Sequence, residues 1–168
     1  MRLFALSLGI LMMSTSAKAQ DDVYQKPSAF IAETFGGATP NAGVVDLTKE
    51  RQAAIKRLIG RPYGASRVRY WTDGKKTAWI LEEIGKTRPI TTGYVVSGGK
   101  IASVKVLVYR ESHGWEVRQP FFTKQFRDAS LKEDGKLTAR IDNIAGATLS
   151  TRALTKMAKL ALYLDQHR

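Results

Sequence analysis

The stretch Arg67–Ser112, RVRYWTDGKKTAWILEEIGKTRPITTGYVVSGGKIASVKVLVYRES, decides the fold. Arg67–Thr72 is aromatic and β-branched, a composition that suits a pleated, half-buried segment. Asp73-Gly74 follows, a pair suited to the left-handed turn of a tight hairpin. Lys76–Ile84 resumes the strand, and Gly85–Pro89 turns the chain. Ile90–Ser97 is a third run, and Gly98-Gly99 a second tight turn. Lys100–Ser112 alternates in part, with Ile101, Ser103 and Lys105 on one side and Val104, Val106 and Val108 on the other. Strands joined by such short turns pair as antiparallel neighbours, so the stretch predicts a meander.

Outward from this core, Pro27–Phe35 reads as a short helix with proline tolerated in its first turn. Gly36–Gly43, GGATPNAG, reads as a loop by composition. Lys49–Ile59 is a second helix, with Thr48 as N-cap, Ala54, Ile55, Leu58 and Ile59 at helical spacing, and Gly60 and Pro62 as the stop. Phe121, Phe122 and Phe126 near Pro120 suggest a short helix or loop that caps the sheet. Lys132–Lys136 is a polar turn and Leu137–Asp142 a last short strand. From Leu149 the chain is an amphipathic helix. Leu149, Ala153, Met157, Leu160, Ala161 and Leu164 form its apolar face, and Arg152, Lys156 and Lys159 lie away from it. The expected class is α+β, an antiparallel meander with packed helices and a C-terminal amphipathic helix.

The chain has 168 residues and no Cys. That absence excludes disulfides, thiolate metal sites, c-type haem attachment and a cysteine nucleophile. Residues 1–19 read as a signal peptide: Arg2, an apolar run from Leu3 to Met13, then Ala17-Lys18-Ala19. The run is shorter than the roughly 20 residues a membrane span needs. Residues 20–168 then form a single domain with an N-terminal helical extension, exported to the periplasm. Lys+Arg number 27 against 15 Asp+Glu, a net charge of +12. Removing Arg2 and Lys18 leaves 25 against 15, so +10. Such a surface favours acidic partners, and export argues against nucleic acid as one of them.

Hydrolytic and metal chemistry find little support. There are two His, and a Ser beside His113 in sequence is no triad, because the base must approach across space with its own orienting acid. Asp21-Asp22 and Glu82-Glu83 read as surface charge, with no ligand set for a metal. No catalytic residue is assigned.

The stretch DNIAGATLST, Asp142–Thr151, holds the chemistry. Gly146 and two Ala residues let the backbone approach a ligand closely, and a helix starts behind them. A helix N-terminus presents unpaired N–H groups and partial positive charge, a seat for phosphate. Thr148 could carry or contact such a phosphate. Equally, Thr148 or Ser150 could be an ordinary N-cap.

Asp142-Asn143-Ile144-Ala145-Gly146-Ala147-Thr148 resembles the flavinylation motif of the FMN-binding domain family, an Asp followed by Ser/Thr-Gly-Ala-Thr. That family includes covalent-flavin subunits of the sodium-pumping NADH:quinone oxidoreductase and of the Rnf complex. Upstream, Glu111-Ser112-His113-Gly114-Trp115-Glu116 resembles its Glu-Thr-Pro-Gly-Leu-Gly stretch beside the flavin. The resemblance covers roughly Gly85 to Ser150. It implies a covalent FMN, moved from FAD onto Thr148 by a flavin transferase as a phosphoester. Asp142, Gly146, Ala147, Leu149, Glu111, Ser112, Gly114 and Trp115 would surround it, with Trp115 packed on the ring or buried in the core. Arg152 could hold the phosphate. The chain departs from the motif at Ala145, where the family has a hydroxyl, and at His113, Trp115 and Glu116. The implied role is electron transfer with membrane or soluble redox partners rather than stand-alone catalysis. The alternatives are a flavin-dependent reductase subunit acting on a small substrate and a flavin-free basic binding module.

Overall fold

A computed structural model describes residues 21–168. The expected signal segment, residues 1–19, lies outside the described residues. In chain order the elements are β1 (Asp22–Val23), α1 (Pro27–Thr34), β2 (Asn41–Asp46), α2 (Lys49–Ile59), β3 (Arg67–Thr72), β4 (Lys76–Ile84), β5 (Pro89–Ser97), β6 (Lys100–Tyr109), α3 (Pro120–Thr123) and α4 (Thr148–Gln166). A 3₁₀ turn, Trp115–Arg118, precedes α3, and another, Lys124–Phe126, follows it. The strands form one sheet in the order β1-β6-β5-β4-β3-β2. Every neighbouring pair is antiparallel. The α+β class and the meander therefore hold, and among the described residues no helix is long and apolar enough to cross a membrane.

Helices cover both faces of the sheet, so strand residues alternate between two apolar clusters. Trp79, Leu81, Tyr94 and Val96 pack with α2 and with Leu154, Met157, Ala158 and Ala161 of α4. Ala78 and Val95 point the other way and pack with Phe30, Ile31 and Phe35. Gly93 permits that second layer: a Cβ there would lie 2.5 Å from the Phe30 ring. Thr48 caps α2 by accepting the Arg51 N–H at 3.3 Å, and Gly60 ends it in the left-handed conformation, φ +89°.

Several expectations change. Asn41–Gly43, read as loop, opens β2 and pairs with Tyr70–Thr72. Gly43 is there because the Tyr70 ring occupies the place where a Cβ would stand. Leu137–Asp142 is no strand. Only Leu137 bridges, to Leu131, because the loop bonds to itself: Lys132 N–H to the Lys136 carbonyl and Thr138 N–H to that of Ser130. The alternation in β6 is broken by register shifts between Val95 and Val96 and between Thr91 and Thr92 of its partner. Each bulge inserts a residue and switches faces, so Ile101 joins Val104 and Val106 while Val108 joins the opposite cluster. Glu83 is buried rather than on the surface, paired with Arg61 at 2.8 Å. Leu149 is exposed, and the buried face of α4 is widened instead by Leu154, Ala158 and Leu162.

Candidate functional site at the start of the C-terminal helix

The turn before α4 is closed by the Ala147 N–H donating to the Ile144 carbonyl, with Gly146 at φ +80°. Ala147 is the N-cap, and no side chain caps the helix start. Thr148 is thus the first helical residue, and its hydroxyl oxygen accepts from Asn143 Nδ2 at 2.8 Å. Ser150 is buried, and its Oγ lies 2.9 Å from Tyr109 Oη. Neither hydroxyl serves as the N-cap that the sequence allowed.

Tyr109 stands at the end of β6, and its hydroxyl donates to the His113 carbonyl. The Ser150 hydroxyl then donates to it in turn, so one phenol ties strand, loop and helix together. Gly114, at φ +86°, makes the close approach possible. A Cβ there would be 2.9 Å from Tyr109 Oη and 3.1 Å from Ala147 Cβ. Two segments about thirty residues apart in sequence are thereby pressed together.

Glu111 holds the third side. Its carboxylate accepts the N–H groups of Lys86, Thr87 (2.6 Å) and Arg88 (2.9 Å) and the Thr87 hydroxyl (3.1 Å). Partial burial works against the charge, but these donors outweigh it and hold the Glu111 carboxyl below its ordinary pKa. Burial raises the Tyr109 phenol, partly offset by the bond to Ser150.

Between these pieces lies a cleft of about 410 Å³, lined by Lys86, Thr87, Glu111, Ser112, His113 and Gly146–Ser150. Small-molecule sites occupy roughly 300–1,000 Å³. On the other side of Thr148 runs a trough of about 590 Å³ between α4 and the 136–143 segment. Thr148 lines both. Thr151, one turn into the helix, borders the trough, and its buried Oγ1 has no hydrogen-bond partner. An orphaned hydroxyl beside an uncapped helix start is a place for an oxygen-rich ligand.

The expected site residues divide. Glu111, Ser112, Gly146, Ala147, Thr148 and Leu149 line the cleft, and Gly114 supports it from behind. Arg152 lines the trough. Trp115 is 44% exposed and lies against Arg118, whose guanidinium is 5.2 Å from its ring and 4.1 Å from that of Tyr24. It is therefore not a core residue, nor does it line the cleft. The Asp142 carboxylate lies 3.1 Å from Arg140 and lines neither cavity. Sequence reasoning missed Asn143, Tyr109 and the Lys86–Arg88 turn as parts of the site. Asn143 lay inside the quoted motif; the other two become visible only once β6 is paired with β5. Among the described residues no group of His, Asp and Glu could hold a metal ion.

Residues 85–163 match the model of a family described as the FMN-binding domain. That segment contains every residue lining the cleft. Among solved structures, one component of the Na⁺-translocating NADH-quinone reductase from Parabacteroides distasonis has a similar fold. The TM-score is 0.55 at 16% identity, over 83% of each chain. No curated protein matches the chain significantly. The chain thus carries an FMN-binding domain of this family in residues 85–163.

Proposed function

We propose that this protein is an exported electron carrier whose FMN is joined through its phosphate to Oγ1 of Thr148. The observation that carries the reading is the position of that hydroxyl. It stands on the first turn of an uncapped helix, at the mouth of a cleft walled by the Glu111 loop. A plain capping role would need the hydroxyl to accept a first-turn N–H, and it instead accepts from Asn143. When bound, FMN supplies the one- and two-electron redox chemistry.

The chain's own residues bind and orient. The helix start directs N–H groups and partial positive charge at a phosphate. Gly146 leaves that approach open, with nothing within 4 Å of where a Cβ would stand. Asn143 orients the acceptor hydroxyl. Glu111 fixes the Lys86–Arg88 backbone as a rigid wall. That use commits the cleft's one carboxylate to structure, which favours a carrier over a reductase. In maturation, a flavin transferase would use FAD. The Thr148 oxygen forms the new bond to the flavin-side phosphorus, the pyrophosphate bond breaks, AMP leaves, and the hydroxyl proton goes to solvent. Export rests on the leader-like residues 1–19, and residues 20–84 complete a single domain with the matched segment.

Co-expression with a flavin transferase followed by denaturing electrophoresis tests the reading. The denatured band should fluoresce, with intact mass raised by one FMN less one water. Thr148→Val should abolish both signals. An adduct that persists in this variant would move the attachment to Ser150 or Thr151, and a wild-type chain of unmodified mass would overturn the proposal.

A further inference from the structure

One flank of α4 carries charge without counter-charge. Arg152, Lys156 and Lys159 follow one another at spacings of four and three, and so share a helix face. Lys136, itself paired with Asp134 at 3.1 Å, borders the same trough from the opposite wall, and no carboxylate lines it. No ion pair among the described residues involves Arg152, Lys156 or Lys159. Like charges at these spacings work against a helix, so the array is not there to stabilise α4. The helix has a single acid, Asp165, near its far end and bonded to Thr77 and Arg168. Leu137 and Ile141 add apolar lining to the wall that faces the cations of α4. Apolar centre and charged rim is the anatomy of a protein-binding patch. The trough also shares Thr148 with the cleft, so whatever docks there sits beside the flavin's attachment point.

We propose that this trough is the docking surface for the acidic face of a protein redox partner. The partner's redox character rests on the function proposed above; its acidity rests on the trough alone. Complementary charge would steer the encounter and set its salt dependence.

The test uses the flavin-free protein, so flavin attachment does not enter. An oligoglutamate peptide is titrated into ¹⁵N-labelled protein at low salt, and its affinity is measured with a fluorescent label. Amide shifts should be confined to 136–143 and 148–160. The triple variant R152Q/K156Q/K159Q should weaken binding by about tenfold or more. K49Q/K56Q/K100Q removes the same three charges from exposed sites elsewhere and should cost no more than about threefold. Equal losses in the two variants, or shifts spread over the whole surface, would overturn the proposal. So would equal shifts from inorganic phosphate alone, which would make the trough a small-anion site. The wild-type shift map stands whether or not the variants fold.

Discussion

Gly114 shows how much of the site depends on one missing methyl group. Its backbone is left-handed, and the phenol of Tyr109 and the Cβ of Ala147 crowd the space a side chain would need. Gly114→Ala should destabilise the fold by about 1–3 kcal/mol, read from denaturant midpoints. Ala145 is the contrasting case. It is exposed on the turn before α4, so restoring the family's hydroxyl with Ala145→Ser should leave stability within about 0.5 kcal/mol. Any change in flavin loading would then report recognition by the proposed transferase rather than folding. Glu111 supplies a pH signature. Its folded pKa is depressed, so its bonds to the Lys86–Arg88 turn contribute fully above the ordinary glutamate value, about 4.3. The contribution is lost as pH falls through the folded value. Glu111→Gln should lower stability at pH 7 and flatten the acid limb of a stability–pH curve.

The helix α4 is the element on which fold and site both rest. Leu154 and Met157 are buried against the sheet. Leu154→Ala should cost about 2–5 kcal/mol, whereas Leu149→Ala on the exposed first turn should cost little and act on the cleft instead. Periodicity made this helix legible, as it did α2 and the hairpins of β3 to β6. It could not tell that the first turn is anchored through buried Ser150 to Tyr109, which leaves Leu149 lining the cleft and outside the buried face. It also missed the bulges in β6, because an extra residue switches faces without altering composition. β2 was hidden by a glycine that serves an aromatic ring across the sheet rather than a turn. Glu83 was hidden because its partner, Arg61, lies far from it in sequence. At the site, the two motifs were legible through their resemblance to a family. The contacts that join them were not, since they run through Tyr109 and the Lys86–Arg88 turn.

At the scale of the whole molecule, the sheet is a partition with the site at one end. Phe30 of α1 presses on Gly93 at the sheet's centre, and that contact adds to the β1–β6 pairing and the Glu33–Lys105 ion pair in holding the N-terminal segment down. Gly93→Ala should lift it, destabilising the protein by about 1–3 kcal/mol. Limited proteolysis should then cut within residues 21–38 before the sheet unfolds. The cleft and the trough lie across the sheet from this layer, so flavin loading should survive under conditions where the variant remains folded. The phenol of Tyr109 bears on the whole design in another way. It clasps strand, loop and helix in a chain that contains no cysteine. A clasp of hydroxyl groups has no bond that forms or breaks with ambient potential. Under the carrier role proposed above, the frame around the cleft is therefore insulated from the redox chemistry beside it, with no fastening in this clasp open to reduction.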